Sequence, residues 1–154
     1  MDTAVSLADI YNFREVDGTL LTSGQPTDAQ LASIARSSVQ VVINLAPHDL
    51  KSALKDEPGA VAALGMEYVH IPVVFSAPAE TDLLAFFAAM DAARERKVLV
   101  HCAANKRVTA FLGLYRVIKQ GWSPEQAFTL MHSVWEPDAT WAQFIAAMLE
   151  RHRT

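Results

Sequence analysis

Apolar positions along the chain follow two alternating rhythms, and the alternation predicts the elements. Val39-Gln40-Val41-Val42-Ile43-Asn44-Leu45 is a β-branched run bounded by Pro47, the pattern of a strand buried on both faces. Thr19-Leu20-Leu21-Thr22 predicts a shorter strand closed by Ser23-Gly24-Gln25-Pro26. Glu67 to Val74 predicts a third with Pro72 near its exit, and Lys97 to His101 a fourth that stops at Cys102. Between these runs the spacing turns helical. Thr27 and Gln30 make a capping-box pair ahead of Leu31, Ile34 and Ala35, and Asp56 to Leu64 predicts a short helix ending at Gly65. Leu83, Leu84, Phe86, Phe87, Met90 and Ala93 place a helix over Ala79 to Arg96, and Asn105 to Gln120 predicts another that ends at Gly121. Ser123-Pro124-Glu125-Gln126 supplies a cap, a proline at the first helical position and a capping-box Gln for the next helix. A last helix spans Pro137 to Arg151.

Strands alternating with helices predict an α/β domain of three layers: a central, mostly parallel sheet of four or five strands with helices on both faces. Ligands of such sheets bind at the carboxyl ends of strands, near a topological switch point, which directs attention to the strand that ends at His101. A length of 154 residues predicts one domain over 1–154. With 51% hydrophobic and 19% charged residues the chain is not of a disordered class. A formal charge of −4 argues against a nucleic-acid partner, so any anion site must be local.

One cysteine, Cys102, rules out an intramolecular disulfide framework and every multi-cysteine zinc site. The five histidines (48, 70, 101, 132 and 152) show no metal-ligand spacing on one helix. Neither a metal nor an organic cofactor is expected. Met1 to Ile10 has no basic and apolar leader pattern, and no run approaches the length of a membrane helix, so a cytoplasmic protein without a membrane partner is expected.

The chemistry concentrates in Val98-Leu99-Val100-His101-Cys102-Ala103-Ala104-Asn105-Lys106-Arg107-Val108-Thr109. A strand delivers Cys102 to its carboxyl end and a helix begins a few residues later. The N–H groups from Ala103 to Val108, together with the helix dipole, then make an anion-binding nest that favours a Cys102 thiolate. Arg107 offers a planar fork for two oxygens of a phosphate or sulfate, and Asn105 suits a left-handed position in the loop. Lys106 is a rim charge or a solvated helix residue. A second reading of Cys102 stands beside this one: free cysteine is often simply a small buried hydrophobe. His101 reads as a hydrogen-bonded orienting residue, Ser23 and Gln25 as turn residues, and Phe86, Phe87, Met90, Trp122 and Trp141 as core.

A His-Cys pair, a short loop and an Arg between a buried strand and a helix resemble the signature of cysteine-dependent tyrosine and dual-specificity phosphatases. Four further landmarks occur in order: Thr22-Ser23-Gly24-Gln25-Pro26, Val41 to Leu45, His70-Ile71-Pro72-Val73 and Gly121 to Ala127. Together they resemble a family of small bacterial phosphatase-like proteins, a type also found fused to beta-lactamase-like hydrolases. The resemblance covers about Ile10 to Leu149. It implies Cys102 and Arg107 as catalytic residues and Ala103, Ala104, Asn105, Lys106 and Val108 as the substrate-binding loop. The implied reaction hydrolyses phosphomonoesters through a cysteinyl-phosphate, with a phosphorylated substrate or inorganic phosphate or sulfate as ligand.

Two features depart from the usual phosphatase pattern. The usual loop is one residue longer and carries Ser or Thr directly after Arg; here Ala103 to Lys106 separates Cys102 from Arg107, and Val108 precedes Thr109. The shorter spacing also resembles rhodanese-like sulfurtransferases, which would carry a persulfide on Cys102. The usual acid is an Asp after the preceding strand, and Ile71 to Pro78 contains no carboxylate. Asp49 stands at another strand end, Glu80 and Asp82 charge a helix start, and Asp138 follows Pro137 as a helix-start residue. A noncatalytic phosphate-binding module is therefore a third reading. Substrate identity and oligomeric state stay open.

Overall fold

A computed structural model describes residues 6–153, so the first five residues of the stretch read from Met1 to Ile10 lie outside the described residues. A 3-10 turn (Leu7–Asp9) leads into strands β1 (Arg14–Asp17) and β2 (Leu20–Ser23), then helix α1 (Asp28–Arg36) and strand β3 (Val41–Asn44). There follow α2 (Glu57–Ala63), β4 (Glu67–His70), α3 (Glu80–Ala92) and β5 (Val98–His101). The chain closes with α4 (Lys106–Ile118), α5 (Pro124–Ala127), α6 (Thr129–His132) and α7 (Ala139–Arg151). The five strands lie in the order β1-β2-β5-β3-β4, parallel except for the β1–β2 hairpin. The expected α/β class holds, with the strand count at five.

The pleat divides the apolar residues between two cores. Leu20, Val41, Ile43, Val98 and Val100 face the layer of α3, α4 and α7. Leu21, Val42 and Leu99 face Leu31 and Ile34 of α1 and Val61 of α2. β5 is the middle strand and is buried throughout, so the segment leaving its carboxyl end emerges among packed elements on all sides. Helix α4 is buried without a break from Arg107 to Tyr115, because it is sandwiched between the sheet and α5–α7. Gly113 permits that packing: a Cβ there would enter the Phe128 ring.

Several boundaries differ from expectation for local reasons. The strand from Glu67 stops at His70 because Pro72 has no N–H for the ladder, although Ile71 and Val73 still donate to Asn44 and Leu45. The helix expected after Ser123 is two short turns that break at Phe128, the residue seated on Gly113. β1 is a strand that periodicity does not reveal, since Arg-Glu-Val-Asp is polar; it forms by hairpin pairing, with an irregularity between Glu15 and Asp17. Trp122 is a correction. It is exposed rather than core, and the Arg116 guanidinium lies 4.3 Å from its ring centroid. Among the described residues no helix is long and apolar enough to cross a membrane.

Candidate active site

β5 delivers His101 and Cys102 at its carboxyl end, and α4 begins four residues after Cys102 at Lys106. The chain makes that turn because Asn105 adopts the left-handed conformation, φ 65°, which Asn tolerates better than most non-glycine residues. Its side chain is fully buried, and its amide donates to Asn12 O at 2.8 Å and Thr22 Oγ1 at 3.0 Å. The loop carbonyls are taken by the neighbouring segments. Ala103 O accepts from Gln25 N at 3.0 Å, Ala104 O from Asn12 Nδ2 at 3.1 Å, and Asn105 O from Thr109 Oγ1 at 2.8 Å. Gly24 is required by this approach, since a Cβ would stand 2.7 Å from Ala103 O.

With its carbonyls occupied outward, the loop has N–H groups to spare. Among the described residues no acceptor takes those of Ala103, Ala104, Lys106, Arg107 or Val108. The last three are the first turn of a 13-residue helix, where the dipole adds to their attraction for an anion. Val108 offers only its backbone, because its side chain is buried in the core. Thr109 braces the loop through Asn105 O and Lys106 O.

Arg107 is 5% exposed, and no carboxylate of the described residues pairs with it. Its Nε donates to Val73 O at 3.0 Å, and its guanidinium lies 5.3 Å from the Phe75 ring centroid. Neither Nη has a protein partner among the described residues. A buried guanidinium without a counter-charge is costly, and its anchoring through Nε leaves the fork end for an anion.

The wall beside it is aromatic. Phe75 packs on Trp135 and Trp141, Lys106 Nζ sits 5.6 Å from the Trp135 centroid, and Trp141 Nε1 donates to Phe75 O at 2.7 Å. Lys106 therefore lies against an aromatic ring. Trp141 ties α7 to the segment that anchors Arg107. Trp141→Ala should destabilise the protein by about 3–5 kcal/mol, the range for emptying a core aromatic, and chemical denaturation checks it.

The carboxylates named from sequence are not gathered here. Glu80 pairs with Arg151 and His152, and Asp138 caps α7 by accepting from Trp141 N. Asp82 lies in the first turn of α3, where burial raises its carboxyl above the ordinary value; Asp49 is exposed in the loop after β3. Sequence reasoning missed Glu57. It is 1% exposed at the start of α2, and its carboxylate meets His101 Nε2 at 2.5 Å and Gln25 Nε2 at 2.9 Å. Nothing in Asp56-Glu57-Pro58 distinguishes it from an ordinary helix-start acid. Burial pushes the Glu57 carboxyl up, but the hydrogen bond and charge of His101, with the Gln25 hydrogen bond and the His48 charge, together hold it below the ordinary value. A second unforeseen group joins Asn44, Tyr68, His48 and His70: Tyr68 Oη contacts Asn44 Nδ2 and His48 Nε2, and the two imidazoles stack at 3.8 Å. Among the described residues no three His, Cys, Asp or Glu side chains are placed to hold a metal.

A parallel α/β sheet with a cysteine, an open amide loop and an unpaired arginine at the end of its middle strand defines a phosphatase-like protein of the tyrosine and dual-specificity type. The family described as "DSP-PTPase phosphatase fused to NAD+ Kinase" matches residues 6–146, and the chain belongs to it. It is similar to the solved structure of a DUF442 protein from Shewanella putrefaciens CN-32, with 38% identity and a TM-score of 0.85 over 95% of this chain and 96% of that one. Among curated proteins it is 28% identical over 122 residues to the dual specificity protein phosphatase TpbA of Pseudomonas aeruginosa, covering 78% of this chain. It is also 29% identical over 125 residues to a beta-lactamase hydrolase-like protein of Xylella fastidiosa, covering 77% of this chain. The chain spans 53% of the length of TpbA and 28% of the Xylella protein. A form of TpbA bound to phosphotyrosine shares the fold at a TM-score of 0.66 and 22% identity, over 95% of this chain and 94% of that one.

Proposed function

We propose that the chain is a cysteine-dependent phosphomonoesterase, acting as one domain on aryl phosphates such as phosphotyrosine. The observation that carries this reading is Arg107: buried, anchored to Val73 O, unpaired by any described carboxylate, and beside a loop of free N–H groups next to Cys102. The Cys102 sulfur attacks phosphorus and forms an S–P bond as the P–O bond to the leaving group breaks. The leaving oxygen keeps the bonding pair and takes its proton from water. Water then attacks the cysteinyl-phosphate, releasing inorganic phosphate and restoring Cys102. The amides of Ala103 to Val108 and the Arg107 fork stabilise the non-bridging oxygens as charge redistributes. Phosphotyrosine in the TpbA complex and the aromatic wall at Phe75 and Trp135 favour a flat leaving group. The cytoplasm, where thiols are kept reduced, suits a mechanism that needs Cys102 as a thiolate.

The leaving group tests the reading. With no carboxylate from Ile71 to Pro78, its basicity should control the first step. General-acid assistance is typically worth about 10²–10⁴-fold. Turnover of nitrophenyl phosphate should be slow, the rate should fall steeply with leaving-group pKa across an aryl series, and alkyl phosphates should be almost inert. Asn or Gln at Asp49, Glu80, Asp82 or Asp138 should each change the aryl rate by less than about tenfold. A flat series that one of those replacements abolishes would identify a real acid. Phosphate binding without turnover would leave a binding module, and thiosulfate:cyanide activity would mark a sulfurtransferase.

A further inference from the structure

The buried pair of Glu57 and His101 plays no part in the steps above, yet it lies directly beneath the reactive loop. Its side chains are 1% and 0% exposed, and pairs so completely removed from water are rare without a compensating role. The hydrogen-bond inventory of His101 is informative. Nε2 faces the Glu57 carboxylate at 2.5 Å, and Nδ1 faces the Cys102 carbonyl at 3.3 Å. The Cys102 carbonyl is an acceptor and so is an ionised Glu57, and an imidazole that carries a proton on each nitrogen satisfies the two together. Glu57 in turn is fixed from its other oxygen by Gln25, whose backbone N–H also holds Ala103 O. One residue of α2 thus braces both the residue before Cys102 and the residue after it.

We propose that Glu57 is a positioning residue of the Cys102 site, which keeps His101 as a buried imidazolium under the loop and so favours the Cys102 thiolate. The proposal rests on the reading of Cys102 as the nucleophile. Other ionisable groups around the pair are His70 and Tyr68 from β4 and His48 from the loop after β3; α4 contributes no acid to its own first turn. Burial raises the Glu57 carboxyl, but the hydrogen bonds of His101 and Gln25 and the charges of His101 and His48 together hold it below the ordinary value.

The test uses the ultraviolet absorbance of the thiolate, which belongs to Cys102 alone because the chain has one cysteine. Absorbance is titrated against pH in the full chain, with Cys102→Ser as blank. In Glu57→Gln the thiolate midpoint should move up by about one pH unit, a tenfold loss of thiolate below the midpoint, while Glu57→Asp should recover part of the shift. In a His101→Gln background, Glu57→Gln should add nothing, because its effect passes through the ring. His48→Gln should leave the midpoint in place. A midpoint unmoved in Glu57→Gln, or one that follows His48 instead, overturns the proposal. Should Glu57→Gln fail to fold, nitrogen NMR of the wild-type ring decides: both His101 nitrogens protonated at neutral pH supports the proposal, and one bare nitrogen overturns it. The titration reads no turnover. A wild-type protein without phosphatase activity would therefore count against the functional reading alone.

Discussion

In Cys102→Ser, hydrolysis of nitrophenyl phosphate is expected to fall at least about 10⁴-fold, more than about 5 kcal/mol of barrier, while the fold and the affinity for phosphate persist. The reason is the difference between sulfur and oxygen in one place. Cys102 is wholly buried where β5 meets the loop, and the donors proposed to bind the anion, the loop amides and Arg107, do not depend on its side chain. A serine hydroxyl there is not ionised at neutral pH and is a far weaker nucleophile. A buried hydroxyl lacking a partner costs about 1–3 kcal/mol, so thermal unfolding should show a modest loss. Phosphate binding measured by calorimetry separates the two contributions. Turnover unchanged in the serine variant would remove Cys102 from the mechanism.

Arg107→Lys is expected to lower kcat/KM for the same substrate by at least about 10³-fold and to weaken inhibition by inorganic phosphate. Charge is retained, so the loss measures geometry. Arginine uses Nε for Val73 O and leaves both Nη atoms without a protein partner among the described residues. Lysine has a single nitrogen: if it takes Val73 O it leaves the anion without a fork, and if it turns to the anion it leaves a buried carbonyl unpaired. Stacking on Phe75 is lost as well. Wild-type kinetics in this variant would show that the Arg107 fork is not the anion ligand. Val108 cannot take its place, since its side chain belongs to the core between α4 and the sheet.

The chain's periodicities and caps were enough for the architecture, and the reason is local. Val41 to Ile43 and Val98 to Val100 alternate between two cores, so a parallel sheet covered on both faces is the way to bury them. Thr27 with Gln30 starts α1 as its capping box requires, and Gly65 and Gly121 take positive φ after α2 and α4. The order of His101, Cys102, Asn105 and Arg107 likewise places the proposed nucleophile, a left-handed turn and a cation at a helix start, because all four lie within one short segment.

What surrounds that segment was decided only by the tertiary structure. Asn12, Thr22, Ser23 and Gln25 shape the loop from strands and turns that are its neighbours in the sheet and distant in sequence. Arg107 acquires its anchor from Val73 and its stacking partner from Phe75, although a strand beyond Pro72 was expected at the first of these. Glu57 stands 44 residues before His101 and looks like any helix-start acid, until the crossover from β3 through α2 lays it under the end of β5. Periodicity and capping report what a residue does to its own segment. Hydrogen bonds between buried side chains depend on which segments the sheet order brings together, and that order follows from packing the whole chain.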